Sequence, residues 1–229
     1  MKSIINLIIN DLILCKKNFL VAVPMIIFLA FTGLQCNMDG KQHYVYIYVI
    51  AMASYILINY VEQTIAKNKS SMFIYSLPVE KNNIVLEKYL FIISINVINW
   101  VVCFLTTILF SIILKGKFIG NICSIGDLVF AITLVSIYYS IYYPLYFKLG
   151  SSKLIFFNKF IYMIIIILPV IIQRIMRLLN IAISKKYFYG QINIIQNNFL
   201  YTILFEIIMV AISAYISILI HKNKVVMYE

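Results

Sequence analysis

Long apolar runs that recur along almost the whole chain constrain its fold more than any other feature of the sequence. Each run has roughly 18 or more residues with few charges, enough for a helix to cross a hydrocarbon core about 30 Å thick. Of the 229 residues, 63% are hydrophobic and only 12% are charged. A soluble domain of this size is closer to half apolar and a quarter charged. The sequence therefore predicts an integral membrane protein.

The form of the apolar runs favours helices over a β-barrel. Barrel strands would appear as alternating segments of about ten residues, and these runs do not alternate. A helix also satisfies every backbone polar group internally, as lipid requires. We predict an all-α, polytopic membrane protein with six transmembrane helices. The predicted spans cover residues of about 19–36, 44–61, 89–114, 128–147, 154–173 and 199–220.

Residues 1–18 are amphipathic but more polar than the predicted spans. Asn10, Asp11, Lys16 and Lys17 interrupt the apolar residues, which follow helical spacing. We interpret this segment as an interfacial helix that lies flat on the cytoplasmic side of the membrane. The alternative is that it forms the early part of the first span.

Basic residues decide the predicted orientation. With the amino terminus inside, 12 of the 19 lysines and arginines fall on the cytoplasmic side and seven on the outer side. Cytoplasmic loops of membrane proteins carry such an excess. We therefore predict a multi-pass protein of the cytoplasmic membrane with both termini in the cytoplasm. The net charge of +11 is explained by this pattern and does not indicate nucleic-acid binding.

The stretch 62–88 separates the second and third predicted spans, and it is polar and charged at both ends. Its middle carries a short apolar patch that ends at a proline, which disfavours helical backbone in the residue before it. A short amphipathic helix in a polar loop is typical of a docking surface, whereas the alternative is a solvated loop resting on the bilayer. The candidate docking residues are Phe73, Tyr75, Ser76, Leu77, Pro78, Val79, Glu80 and Lys81.

The same stretch resembles a known family. The run Ser76–Lys81, followed by Ile84-Val85 and Lys88-Tyr89, is similar to the "SLP … IV … KY" signature of small ABC-2 type permeases. The phrase Pro144–Gly150 also resembles that family. The resemblance implies a six-span subunit of an ATP-driven exporter, with 62–88 as the loop that couples it to a separate ATPase. ATP and Mg would then bind to that ATPase, and this chain would carry no cofactor of its own.

The resemblance also implies partners and a cargo. The small permeases of this family include exporters of phenol-soluble modulins and antimicrobial peptides, so amphipathic peptides are the expected substrate, with lipids or hydrophobic drugs as alternatives. Two permease copies would pair, as a homodimer or with a sister permease. Residues 174–198 would form short re-entrant helices. A non-transport role, as a peptide immunity or scaffolding factor, is the alternative function.

Four polar residues inside the predicted spans are candidates for the substrate pathway. Asn96, Asn99 and Thr106 recur at spacings that place them on one face of the third span. Such a stripe faces protein or water rather than lipid, so it either lines a pathway or bonds helices together. Glu206 lies deep in the sixth span, where a carboxylate is costly and usually faces the bundle interior. Substrate contact and a structural pairing both remain open for Glu206.

The sequence lacks the residues that catalysis would need. It contains no Gly-x4-Gly-Lys-Ser/Thr phosphate-binding motif. The two histidines, His43 and His221, are predicted at opposite faces of the membrane, so no catalytic or metal site is expected. The four cysteines form no CxxC pair. Whether Cys36 and Cys123 form a disulfide is open. The chain is thus predicted not to be an enzyme.

Overall fold

The computed structural model describes residues 2–35, 41–67, 80–114, 120–150, 154, 158 and 199–226. Within these residues the chain is helical and contains no strand, which confirms the all-α prediction for this part. The five long helices are α1 (Lys2–Leu34), α2 (Lys41–Lys67), α3 (Lys81–Ile113), α4 (Ile125–Leu149) and α5 (Phe199–Val226).

All five helices are long and apolar enough to cross a membrane, so the chain is a multi-pass membrane protein. The predicted fifth span, 154–173, lies outside the described residues except for Leu154 and Asn158. The region 174–198, predicted to be re-entrant, also lies outside them. The count of six spans and the cytoplasmic position of both termini remain predictions.

The first helix runs through a predicted boundary. α1 is one helix of 33 residues, about 50 Å long at roughly 1.5 Å per residue, and it does not end near residue 18. The predicted interfacial segment 1–18 is therefore continuous with the first span. Nothing between Asn18 and Leu20 breaks a helix, and Asp11, which made the segment look too polar, is buried against other helices. Its position relative to the membrane surface remains a prediction.

The predicted loop 62–88 is also shorter than expected. α2 continues to Lys67 and α3 begins at Lys81, so both ends of the stretch are helical. Glu62 and Lys88 are buried rather than solvated. Their charges marked them as loop residues in the sequence, but packing between helices provides them with a protein environment. Residues 68–79 lie outside the described part.

The bundle is organised around α2. In the most apolar window of each helix, 56% of the residues of α2 are buried, against 17% in α1 and in α5. α1 packs on α2 and α3, α4 packs on α2 and α5, and α5 also contacts α3. The outer faces of α1 and α5 carry exposed Leu, Ile, Phe and Tyr side chains. These faces suit contact with lipid, whereas α2 lies in the protein interior.

The approach of α1 to α2 depends on a glycine. A Cβ atom at Gly33 would lie 2.5 Å from Cε1 of Tyr46, which is closer than real Cβ contacts. The missing side chain lets the ring of Tyr46 pack against the backbone of α1. Tyr46 is fully buried, and its hydroxyl donates to the backbone oxygen of Asn121 at 2.9 Å. α1, α2 and the segment before α4 are thereby joined at one end of the bundle.

Candidate functional site at the Lys67 end of the bundle

The stretch proposed to couple the chain to an ATPase leaves the bundle where α2 ends at Lys67 and α3 begins at Lys81. We call this end of the bundle the Lys67 end. Of the eight candidate docking residues, Phe73 to Val79 lie outside the described residues. Glu80 is exposed immediately before α3, and Lys81 is the first residue of that helix. The docking role of these residues therefore remains a prediction.

A buried ion pair joins α1 to the start of α3. The Nζ atom of Lys88 donates to Oδ2 of Asp11 at 2.6 Å, and Oε2 of Glu87 lies 3.6 Å from the same nitrogen. All three side chains are at most 7% exposed. Removal of one partner of a buried ion pair strongly destabilises the folded protein, because the remaining charge is left uncompensated. The contact therefore joins the first third of α1 to the first turns of α3, where the stretch 62–88, called the coupling stretch below, ends.

Glu62 lies at the same end and has no such partner among the described residues. Its side chain is fully buried, and neither of its carboxyl oxygens makes a hydrogen bond within the described part of the chain. The hydroxyls of Tyr142 and Tyr143 approach the carboxyl group, but not with the geometry of a hydrogen bond. Among the described residues, the Lys67 end thus holds three buried acidic side chains, Asp11, Glu62 and Glu87, and one buried lysine, Lys88.

Tyrosines of α4 form the wall beside Glu62. The rings of Tyr139 and Tyr143 lie 5.2 Å apart between centroids, and the ring of Tyr89 on α3 lies at the same distance from Tyr143. Aromatic rings at such separations attract each other beyond the area that they bury. Further ring contacts extend this tyrosine cluster along α4 through Tyr138, Tyr142 and Tyr146.

Hydroxyl groups connect the tyrosine cluster to α5. The hydroxyl of Tyr89 is 2.6 Å from Oγ of Ser213 and 3.1 Å from Oγ of Ser217. Ser213 in turn donates to the backbone oxygen of Ser140 on α4 at 2.6 Å. Three helices are thereby joined by buried hydrogen bonds next to the charged side chains.

Asn158 adds a second polar connection. The hydroxyl of Tyr55 donates to its Oδ1 atom at 2.7 Å, and its Nδ2 atom donates to Oδ1 of Asn59 at 2.9 Å. Tyr138 also donates to Oδ1 of Asn158. A residue of the predicted fifth span therefore packs between α2 and α4.

The candidate pathway residues of α3 mainly bond protein groups. The Nδ2 atom of Asn99 donates to Oγ of Ser54 on α2 at 2.9 Å, which is a bond between helices. Asn96 and Thr106 donate to backbone oxygens of their own helix, at 2.9 Å and 2.8 Å. Of the two alternatives for this face, the hydrogen bonding of helices is the one seen for Asn99. A role in substrate passage remains a prediction.

Glu206 bonds α4 and does not belong to the Lys67 end cluster. Its two carboxyl oxygens accept from Oγ1 of Thr133 at 3.4 Å and from Oγ of Ser136 at 3.3 Å. The residue is only partly buried. Arg174 and Arg177, basic residues between the predicted fifth and sixth spans, lie outside the described residues.

The buried charges of the Lys67 end were missed in the sequence analysis, although a signal exists. Glu62 lies four residues after Ile58 and three before Ile65, and both isoleucines are buried on the same face of α2. A charged residue in step with an apolar stripe indicates burial. Asp11 is likewise in step with the buried Cys15.

Metal chemistry finds no support in the part of the chain that the structure describes. No group of three or more His, Cys, Asp or Glu side chains there is arranged to hold a metal ion. His43 pairs with Asp127 at the opposite end of α2. Cys123 is a buried free thiol, while Cys36 lies outside the described residues, so their pairing remains untested.

Five apolar helices packed around buried polar side chains define the chain as a polytopic helical membrane protein. Residues 6–222 match the family model described as ABC-2 family transporter protein. Because the match covers nearly the whole sequence, the chain belongs to this family and is the membrane-spanning permease of an ABC transporter. Such a permease partners an ABC ATPase. No match was found among curated proteins or among solved structures.

Proposed function

We propose that the chain is the permease subunit of an ATP-driven exporter that moves amphipathic or antimicrobial peptides out of the cell. A separate ATPase binds ATP and Mg and supplies the energy, and two permease copies pair in the cytoplasmic membrane. The observation that carries the proposal is the family match over residues 6–222. The geometry of the Lys67 end supports it, because the coupling stretch begins and ends in buried helix.

The buried ion pair gives the coupling stretch a firm attachment. A force applied to a frayed loop would be absorbed by local bending, whereas α3 at Lys88 is held to α1 through Asp11. α2 at Glu62 is likewise enclosed by the tyrosines of α4. Movement of the ATPase would therefore displace several helices together. Alternation of the dimer interface between inward and outward forms would follow from that displacement.

Alanine substitutions in the coupling stretch test the docking role. Protein interfaces concentrate their energy in a few buried aromatic or aliphatic anchors. We expect Tyr75→Ala and Leu77→Ala each to cost roughly 1–3 kcal/mol of docking energy, about a thirtyfold loss of affinity at the middle of that range. Co-purification of the ATPase and the coupling of ATP turnover to export are the measurements. Phe73 and Pro78 are expected to act in the same way.

A lipid-facing leucine supplies the matched control for these variants. Leu20 is 78% exposed on α1, far in sequence from the coupling stretch, so Leu20→Ala should keep the ATPase bound. If the Tyr75/Leu77 double variant still purifies with a stoichiometric ATPase and exports at the parental rate, the coupling role is wrong.

The substrate class is tested by stimulation of ATP turnover. The permease and its ATPase, reconstituted in lipid, should respond to a synthetic amphipathic helical peptide more strongly than to a scrambled peptide of the same composition. A tyrosine-rich, sparsely charged interior suits an amphipathic cargo. A response to added lipid or to a hydrophobic drug, with none to the peptide, would identify that compound, and not the peptide, as the class of substrate.

Cysteine labelling tests the proposed orientation. In a variant without native cysteines, Asn68→Cys should be labelled by an impermeant reagent only after the membrane is opened. The prediction depends on the excess of basic residues on the inner side. Labelling of Asn68→Cys in intact cells would show that the topology is the opposite of the one proposed. The coupling stretch would then lie outside the cell, where no ATPase can reach it.

A further inference from the structure

Glu62 is a buried carboxyl group for which the described structure provides no countercharge. It is 2% exposed, and both of its carboxyl oxygens are enclosed without a hydrogen-bond donor in the described residues. An ionised carboxylate is unstable in such a place unless it is paired and hydrogen-bonded. Either a positive charge accompanies this group, or the group itself is neutral.

Lys88, the described cation that acts on Glu62, is already engaged. The Nζ atom of Lys88 is 2.6 Å from Asp11 and 3.6 Å from Glu87, so two carboxyl groups share its single positive charge. The described charged and titratable groups that surround Glu62 come from α1, α3 and α4. The groups of α1, α3 and α4 are Asp11, Glu87, Lys88, Tyr138, Tyr139, Tyr142 and Tyr143.

The tyrosines beside Glu62 have the chemistry that a neutral carboxylic acid needs. A tyrosine hydroxyl both donates and accepts a hydrogen bond, and a protonated carboxyl group also does both. The hydroxyls of Tyr139, Tyr142 and Tyr143 are buried without a hydrogen bond in the described part of the chain. Small rotations of these groups would satisfy the carboxyl group and the hydroxyls together. No second cation is needed for that arrangement.

We propose that Glu62 is a proton-binding site, occupied in this conformation and formed by its carboxyl group with the hydroxyls of Tyr142 and Tyr143. The proton is taken from water at the Lys67 end and forms an O–H bond on one carboxyl oxygen. The proton returns to water from the same oxygen when α2 and α4 separate at the Lys67 end. The site is additional to the proposed export function. Proton binding in this conformation does not depend on which substrate is exported.

Infrared spectroscopy of the purified permease in lipid tests the occupied site directly. A protonated carboxylic acid has a C=O stretching band that is separate from the bands of a carboxylate and shifts in deuterated buffer. Glu62→Gln should remove the intensity of one such carboxyl group at neutral pH. Tyr142→Phe should keep the band but shift its frequency, because it changes a hydrogen-bonding neighbour.

Matched variants distinguish Glu62 from the other carboxyl groups. Glu206→Gln alters a second intramembrane carboxyl group, one that accepts two hydroxyl hydrogen bonds, and it should leave the Glu62 band unchanged. If the Glu62→Gln spectrum equals the parental spectrum, or if Glu87→Gln removes the band instead, Glu62 is not the proton site. A band that appears only after Na⁺ and K⁺ are replaced by a large organic cation would show that an alkali ion occupies the site, and would overturn the proposal.

Thermal stability provides a second measurement that does not depend on spectroscopy. If the folded chain holds a proton that the unfolded chain releases, stability falls as the pH rises between the two titrations. The unfolding midpoint temperature of the parental protein should therefore decrease as the pH is raised above the usual titration range of a carboxyl group, and Glu62→Gln should flatten part of that decrease. Equal pH profiles for the two proteins, with Glu62→Gln properly folded, would contradict an occupied proton site.

Discussion

The buried carboxyl groups at the two ends of α2 differ in their hydrogen bonding. At the end where α2 begins, the His43 end, Asp127 is fully buried and accepts from the backbone nitrogen of Ser124 at 2.7 Å. Nδ1 of His43 lies 2.9 Å and 3.1 Å from its two oxygens. At the Lys67 end, Glu62 is as deeply buried, but neither of its oxygens is bonded in the described residues.

The two ends differ in how completely their buried polar groups are hydrogen-bonded. Asp127 is part of a capping box, in which Ser124 and Asp127 satisfy each other's backbone nitrogens at the start of α4. Tyr46 and Trp100 also bond backbone oxygens of the segment before α4, each at 2.9 Å. A fully satisfied polar network rigidifies a structure. The Lys67 end, with unsatisfied groups beside the coupling stretch, retains polar atoms that can exchange partners.

Removal of Lys88 should have the largest effect on stability. Lys88→Met leaves Asp11 and Glu87 buried without their cation, and breaking a buried pair in this way costs about 3–5 kcal/mol. The exposed lysine of α4, Lys148, provides the control, since Lys148→Met should change stability by no more than about 0.5 kcal/mol. The measurement is the unfolding midpoint of the purified permease.

A second substitution distinguishes a charge effect from a packing effect in that variant. Adding Asp11→Asn to Lys88→Met removes one of the uncompensated charges and should recover part of the lost stability. If Lys88→Met is as stable as Lys148→Met, the ion pair does not hold α1 to α3, and the mechanical role given to the Lys67 end is wrong.

Removal of Asp127 should have an intermediate effect. Asp127→Ala loses the capping box and the bond to His43, together about 2–4 kcal/mol of stability. His43→Ala should cost less, because the capping box survives. Glu62→Gln, at the other end of α2, should cost little, since it replaces a neutral acid by a neutral amide of the same shape. Equal losses for Asp127→Ala and Glu62→Gln would remove the distinction between the two ends.

Glu206→Gln should have the smallest effect on stability. Its hydrogen bonds, at 3.3 Å and 3.4 Å, are long, and the residue is only partly buried. We expect a change within about 1 kcal/mol, because the amide keeps one acceptor oxygen. Export and substrate-stimulated ATP turnover should nevertheless fall, as expected for a rare intramembrane carboxyl group. A variant that transports at the parental rate would make Glu206 structural or neutral.

The helices themselves were predictable, but their ends were not. Five of the six predicted spans overlap the long helices of the structure, because each run of apolar residues carries its own signal. The helices continue past the predicted span ends at residues 19, 61 and 89, where charged residues had been taken as boundaries. Asp11, Glu62 and Lys88 lie inside helices because other helices cover them.

The sequence by itself determined the class of this protein: helical, multi-pass and embedded in lipid. That much follows from the free energy with which each residue transfers into an apolar medium. This quantity can be summed along the chain without knowing which residues are neighbours in space. Only the tertiary structure decided which buried charges are paired. Asp11 and Lys88 meet across 77 positions of sequence and His43 and Asp127 across 84, whereas Glu62 lies beside the tyrosines of α4 and has no ion pair in the described residues. The energy of a buried charge depends on the groups that packing brings to it, and no local pattern contains that information.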